Sequence, residues 1–187
     1  MIVSAAIRRF SHYGYGKTTM AEIAADCDMS VGNLYRFYKN KEDIAVEGAR
    51  VCMAEKARAG EQAAAQAGAA PQALRDYCLA RMRFLHRLVS ETPHMYELVQ
   101  LIAGKHKDVL HHFEDRAVQV LRDIIVRGID DGEFCVCDVA AVAADIYNAT
   151  TKYNMSLCMD APLKQLEAEL DSLLDLIQGG LKAGKPS

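Results

Sequence analysis

Between Val31 and Arg36 the chain places a branched apolar side chain, a glycine, an amide, a phenol and a guanidinium within six residues, VGNLYR. Most of these are recognition groups, and none of them is a nucleophile with a base beside it. An amide such as Asn33 can pair bidentately with adenine, a guanidinium such as Arg36 with guanine, and Val31 can pack on a thymine methyl. Gly32 weakens a helix but lets the backbone come close to a partner. Elsewhere there is no Gly-rich phosphate loop and no nucleophile elbow, so no catalytic residue is assigned.

The elements around this segment must hold it in place. Thr19 followed by Glu22 reads as a capping box, and Ile23, Ala24 and Cys27 add an apolar stripe at helical spacing. Asp28-Met29-Ser30 breaks that helix, and Ser30 is placed to cap a second one in which Leu34 and Tyr38 share a face. Asn40 to Asp43 starts a third helix with a cap and two acids at its positive end. Two helices crossing through a short turn, the second presenting polar and aromatic groups, form a helix-turn-helix suited to the major groove.

The order GYGKTTMAEIA, then MSVGNLYRFYKNKEDI, closely resembles the DNA-binding segment of the tetracycline-repressor (TetR) family. The matching elements are Phe10, Gly14-Tyr15, Thr18-Thr19, Ile23-Ala24, Gly32, Leu34-Tyr35, Asn40-Lys41 and Glu42. The resemblance covers roughly residues 1 to 48 and implies roles at those positions. Thr18 and Thr19 would sit at the start of helix 2 against a phosphate. Val31, Gly32 and Asn33 would face base edges, Tyr35 and Arg36 would reach bases or backbone, and Lys41 would hold a phosphate. Two departures stand out. The family's tyrosine-then-phenylalanine order is reversed here as Phe37-Tyr38, which leaves Phe37 out of the contact set and Tyr38 where a buried ring is expected. The chain also begins at Met1, close to the first helix, so the basic arm many relatives carry before it is expected to be either missing or truncated.

A 51% hydrophobic and 25% charged composition is that of an ordinary globular protein, and no β-hairpin turn separates alternating runs. The expected class is all-α: an N-terminal three-helix helix-turn-helix domain (1–48), then a larger helical effector-binding and dimerisation domain (49–187). No apolar run of 18 residues suggests a membrane span, and Arg8-Arg9 interrupts any signal-peptide pattern, so a cytoplasmic protein is expected. The net charge is −3, but residues 1–50 hold seven basic groups against six acids. This modest basic footprint predicts a need for two half-sites on one DNA.

Beyond the motif, periodicity predicts a helix from Lys41 to about Arg58, then an Ala/Gly/Gln-rich stretch over 57–70 that is either a frayed helix end or a flexible connector. Helices follow from Pro71 to about Thr92, from Pro93 to Gly104 and from Asp108 to Ile129. The last of these stops at a G-x-x-x-G-x-F ending (Gly128, Gly132, Phe134). Asp138 caps a helix to about Met159, and Pro162 precedes the final one. That final pair combines a small-residue run (Ala140, Ala141, Ala143, Ala144, Ala149) with a leucine stripe that includes Leu170 and Leu174. The pair is expected to form a two-fold dimer interface, which Lys at 170 and 174 would break.

Six cysteines show no disulfide spacing. Cys135-Val136-Cys137, the single Glu91-x-x-His94 and the cluster His106, His111 and His112 are weak metal or redox patterns, and neither a metal nor a cofactor is expected. Their alternative meaning is an all-α metal-binding or redox-sensing bundle or enzyme. The middle helices scatter polar and aromatic groups among apolar ones: Met82, His86, His94, Tyr96, Phe113, Tyr147, Thr151 and Met155. These are the candidates for a small-molecule effector pocket. The expected partners are therefore double-stranded operator DNA, an unidentified effector and a second copy of the chain. The expected function is a ligand-responsive regulator, most often a repressor in such architectures, that binds palindromic DNA.

Overall fold

A computed structural model describes residues 1–92, 94–154 and 161–183, and every regular element among them is a helix. In chain order these are α1 (Ile2–Tyr13), α2 (Met20–Asp26), α3 (Val31–Leu34), α4 (Lys41–Gln66), α5 (Ala70–Glu91), α6 (Met95–Lys105), α7 (Lys107–Asp130), α8 (Val139–Thr150) and α9 (Leu163–Ala183). A 3₁₀ turn, Thr151–Asn154, follows α8. No helix among the described residues is long and apolar enough to cross a membrane.

Packing divides the chain differently from the motif boundary at 48/49. One compact unit contains Met1–Ala54 and Leu88–His112; the other contains Glu55–Arg87 and Phe113–Ser187. In the first unit Ala6 and Phe10 of α1, Ile23 and Ala24 of α2, Leu34 of α3, Ile44 and Ala45 of α4, and Met95 and Leu98 of α6 form one buried cluster. The local signals act as read. The Thr19 hydroxyl accepts from Glu22 N while the Glu22 carboxylate accepts from Thr19 N at 2.8 Å. Ser30 Oγ accepts from Asn33 N at 3.2 Å, and Asn40 Oδ1 accepts from Asp43 N at 2.9 Å. Between α2 and α3, Asp28 adopts a left-handed φ of 53°. The amide of Met29 bonds back to Ala24 O and that of Asp28 to Ala25 O. This is a Schellman stop with an aspartate in the usual glycine position.

In the second unit the ending of α7 has a physical explanation. Gly132 takes φ 72°, and the amides of Glu133 and Phe134 both bond to Gly128 O, at 2.7 and 2.9 Å. A Cβ on Gly128 would collide with the Phe134 ring and lie 2.9 Å from Ala70 Cβ. One glycine thus serves the turn and the other leaves room for the ring. Glu133 then reaches across to accept from Ala70 N at the start of α5 (2.7 Å).

Three expectations are refined here. Of the two readings of 57–70 the helix end holds, since α4 runs to Gln66, because alanine favours helix and Gly60 is packed under Tyr77 and Arg81. The helix begun by Asp138 is α-helical to Thr150 and continues as the 3₁₀ turn to Asn154, and its expected end near Met159 lies outside the described residues. Thr150 and Thr151 donate back to Ile146 O and Tyr147 O, a competition that loosens a helix end. Leu170 and Leu174 are 0% exposed within a single chain, so they are core and not interface. On α9 the outward apolar residue is Leu176, 75% exposed. Ala168, Ser172 and Gly179 are exposed at helical spacing around it. The second unit also carries ion pairs from α5 to α9, Arg75 to Asp171 and Asp175, and Arg83 to Glu167. Among the cysteines, Cys27 is buried in the first unit and Cys78 in the second, while Cys137 is exposed.

Candidate nucleic-acid interface

In α3 Leu34 is fully buried, and Val31 packs half-buried against the same cluster. After Leu34 the chain tightens into turns, with Arg36 N bonded to Asn33 O and Phe37 N to Leu34 O. The groups around Leu34 therefore turn outward. Tyr35 is 51% exposed, Gly32 and Arg36 are exposed, and Val31 and Asn33 are half-buried. A Cβ on Gly32 would meet nothing within 4 Å. No intramolecular packing demands a glycine there. The reversed pair behaves as its chemistry requires: Phe37 is 63% exposed, and Tyr38 packs half-buried against the core with its phenol pushed up by burial.

Two of the expected phosphate ligands have other roles. Thr18 is 2% exposed, and its hydroxyl donates to Gly14 O at 2.9 Å. It has neither the exposure nor the proton for a phosphate. The Lys41 ammonium donates to the carbonyls of Tyr15 (2.8 Å), Thr18 (3.0 Å) and Gly16 (3.4 Å) and lies over the Tyr15 ring at 4.5 Å. A phosphate contact would have to break this arrangement, so Lys41 is a tie between the α1–α2 loop and α4. Thr19 is exposed, with its hydroxyl within the capping box.

Of the cations that remain open, sequence reasoning named Arg36 and missed Lys17 and Lys39 as contacts. Lys17, Arg36 and Lys39 are exposed and make no ion pair among the described residues. Arg9 by contrast is held by Asp26 at 2.6 Å and by Glu22 at 3.3 Å. That arginine holds the Asp26 carboxyl below its ordinary range. At the start of α4, Glu42 is gripped by His106 at 2.9 Å and Lys105 at 3.3 Å, and His106 first, then Lys105, lower its pKa.

The effector candidates do not belong to one compact unit. His94 lies in the first, 3.6 Å from Glu97, on a cleft of about 500 Å³ shared with Arg9, His12, Tyr13, Lys17 and Glu22. Tyr96 is also in that unit, but its side chain lies outside the described residues, as does the whole of Met155. Met82, His86, Phe113, Tyr147 and Thr151 lie in the second unit. Met82 is fully buried. Tyr147 is half-buried, and burial first, then Glu114, raises its phenol to about 12. Arg81, one helical turn after Tyr77 on the edge of the α5 apolar stripe, was missed. A cation flanking Cys78 and Met82 was the available signal. Among the described residues no three of His, Cys, Asp and Glu come together to hold a metal.

Comparison with known families matches residues 2–47 to the DNA-binding model described as bacterial regulatory proteins, tetR family. Residues 70–174 match the tetracyclin repressor-like C-terminal domain. The chain belongs to the TetR family and is a transcriptional regulator with a DNA-binding helix-turn-helix. Comparison with curated proteins gives no match. Among solved structures, a transcriptional regulator from Cytophaga hutchinsonii is 20% identical with a TM-score of 0.76 over 97% of both chains. A TetR-family regulator from Pectobacterium atrosepticum is 20% identical with a TM-score of 0.73, covering 100% of this chain and 94% of that one. FadR from Bacillus subtilis, solved with stearoyl-CoA, is 18% identical with a TM-score of 0.63, covering 99% and 98%. At such identities the likeness shows the fold alone.

Proposed function

We propose that the protein is a ligand-responsive repressor that binds a palindromic operator as a homodimer in the cytoplasm and releases it when a small molecule occupies the second unit. The observation that carries the DNA half of this reading is the outward set on α3. Buried Leu34 and half-buried Val31 anchor a short helix, and Tyr35 and Arg36 follow it exposed, with open space over Gly32. Thr19, Val31, Gly32, Asn33, Tyr35 and Arg36 are the proposed contacts, with Lys17 and Lys39 added as phosphate ligands. Division of labour follows from chemistry: lysines on phosphates set affinity and salt dependence, while the amide and guanidinium set sequence.

A single short helix reads too few bases to stand out in a genome, so two copies on a two-fold axis are required. The exposed faces of α8 and α9, with Ala141 and Ala149 on one and Ala168, Ser172, Leu176 and Gly179 on the other, are small enough for close helix approach. They supply the proposed interface. The FadR structure with stearoyl-CoA supports effector binding as something this fold accommodates.

Selection of bound sites from random double-stranded DNA with the full chain tests the reading. An inverted repeat with half-sites about one helical turn apart or a little more is expected. Recovery of no consensus, or of a single unrepeated half-site, would overturn it.

A further inference from the structure

We propose that the second unit holds its effector by a carboxylate seated on Arg81, between the rings of Tyr77 and Tyr147. The ligand class is a monocarboxylic acid with an apolar body. This deepens the ligand-responsive reading and rests on it.

Among the described residues Arg81 makes no ion pair. Its guanidinium carbon lies 5.1 Å from the Tyr77 ring centre and 5.9 Å from that of Tyr147. Nη1 donates to Tyr77 Oη at 2.8 Å, and that phenol donates in turn to Ala117 O at 3.3 Å. Nε is sealed from solvent and has no acceptor. The neighbouring acids are engaged elsewhere. Both oxygens of Glu61 are held by Arg116, at 2.7 and 2.8 Å, and Glu114 accepts from the Tyr147 phenol. Packing is tight on the α4 side, where a Cβ on Gly60 would come within 2.8 Å of Arg81 Cγ and 2.9 Å of the Tyr77 ring.

Ring faces attract a cation but supply no acceptor for its N–H groups, and a buried charged donor left unmatched is unfavourable. With Nη1 on Tyr77, the edge formed by Nε and Nη2 remains. That edge is the side of a guanidinium that takes both oxygens of a carboxylate in parallel. A neutral acceptor satisfies one donor, whereas a carboxylate satisfies two and supplies the charge. The flanking rings, and Met82 and Leu85 buried on the same helix, match an apolar body behind the acid.

The test uses the purified full chain, thermal melts and calorimetry. The probes are straight-chain monocarboxylates from acetate to decanoate and phenylacetate, each against its primary amide. The longer acids or phenylacetate should bind and raise the melting temperature, and the matching amides should bind about tenfold more weakly or worse. Arg81→Gln should abolish the preference for acid over amide, while Arg81→Lys should keep part of it. Should Arg81→Gln fail to fold, the acid-to-amide ratio in the wild-type chain and in Tyr147→Phe decides. Amides binding as tightly as acids, a ratio unchanged in Arg81→Gln, or no acid binding at millimolar concentration would overturn the proposal. Operator release measured alongside separates the two readings. Acids that bind without loosening DNA keep the carboxylate site and remove its role as effector pocket. A neutral inducer that loosens DNA where no acid binds does the reverse.

Discussion

The ammonium of Lys41 lies 2.8 Å from the carbonyl oxygen of Tyr15 and 4.5 Å from the centre of the same residue's ring. One side chain at the first residue of α4 therefore closes a loop 26 residues upstream, and its remaining protons go to Thr18 and Gly16. The loop leads directly into the capping box that starts α2.

Replacing Lys41 with Met should accordingly act on stability. Charged hydrogen bonds to carbonyls are worth about 1.5–3 kcal/mol each in favourable cases, and a loss on the order of 2 kcal/mol in urea unfolding is expected. The dependence of operator affinity on salt should keep its slope, whereas Lys39→Ala should lower it by about one unit. A slope reduced in Lys41→Met to the same extent would return that residue to the phosphate backbone.

Gly32→Ala separates folding from recognition. The site is open in the free chain, and alanine is favoured over glycine in a helix by up to about 1 kcal/mol. The variant should melt at the wild-type temperature or above it and yet bind operator at least about tenfold more weakly, since the methyl occupies the space a base edge would take. Unchanged affinity in a gel-shift titration would place the glycine away from DNA.

What could be read from the order of residues was whatever is settled within a few positions. The Thr19–Glu22 box, the Ser30 and Asp138 caps and the Gly128–Gly132–Phe134 stop are all completed by groups within six residues. What escaped depends on distant neighbours. Gly60 allowed a connector reading because the Tyr77 ring that needs it lies 17 positions on. Lys41 looked like a phosphate ligand because its carbonyl partners precede it by 23 to 26 positions. In the α9 stripe every leucine looked alike. Only the rotational setting of the helix distinguishes buried Leu170 and Leu174 from exposed Leu176.

That distinction yields a paired test of assembly. Leu176→Glu changes a residue that a single chain leaves in water, so the variant should fold normally and sediment as a monomer with sharply weakened operator binding. Leu170→Lys buries an unpaired cation in the core and should cost several kcal/mol, giving an unfolded or aggregated chain. A folded Leu176→Glu that still sediments as a dimer would move the interface elsewhere.

Alkali should expose the Tyr77 contact. Burial raises its phenol from the ordinary 10 to about 12. Because the folded state holds the proton more tightly, this contribution is complete below pH 10 and is lost as pH rises toward 12. The loss amounts to roughly 3 kcal/mol at about 1.4 kcal/mol per unit. Denaturant midpoints at stepped pH should fall through that window, and Tyr77→Phe should lessen the fall, leaving the part due to Tyr147 and Cys78. Parallel declines in the two proteins would assign the effect to other groups.

The placement of the cysteines gives the chain two built-in clocks. Burial pushes the Cys78 thiol up to about 12, so at neutral pH its thiolate is scarce and shielded. Cys27 is enclosed in the other unit, and Cys137 is already in contact with solvent. A thiol reagent added to the native protein will therefore modify Cys137 without waiting, and each buried thiol only at the rate its own surroundings open. Mass spectrometry of the labelled peptides then times the excursions of the two units separately, with no introduced probe, and shows which of them operator DNA slows.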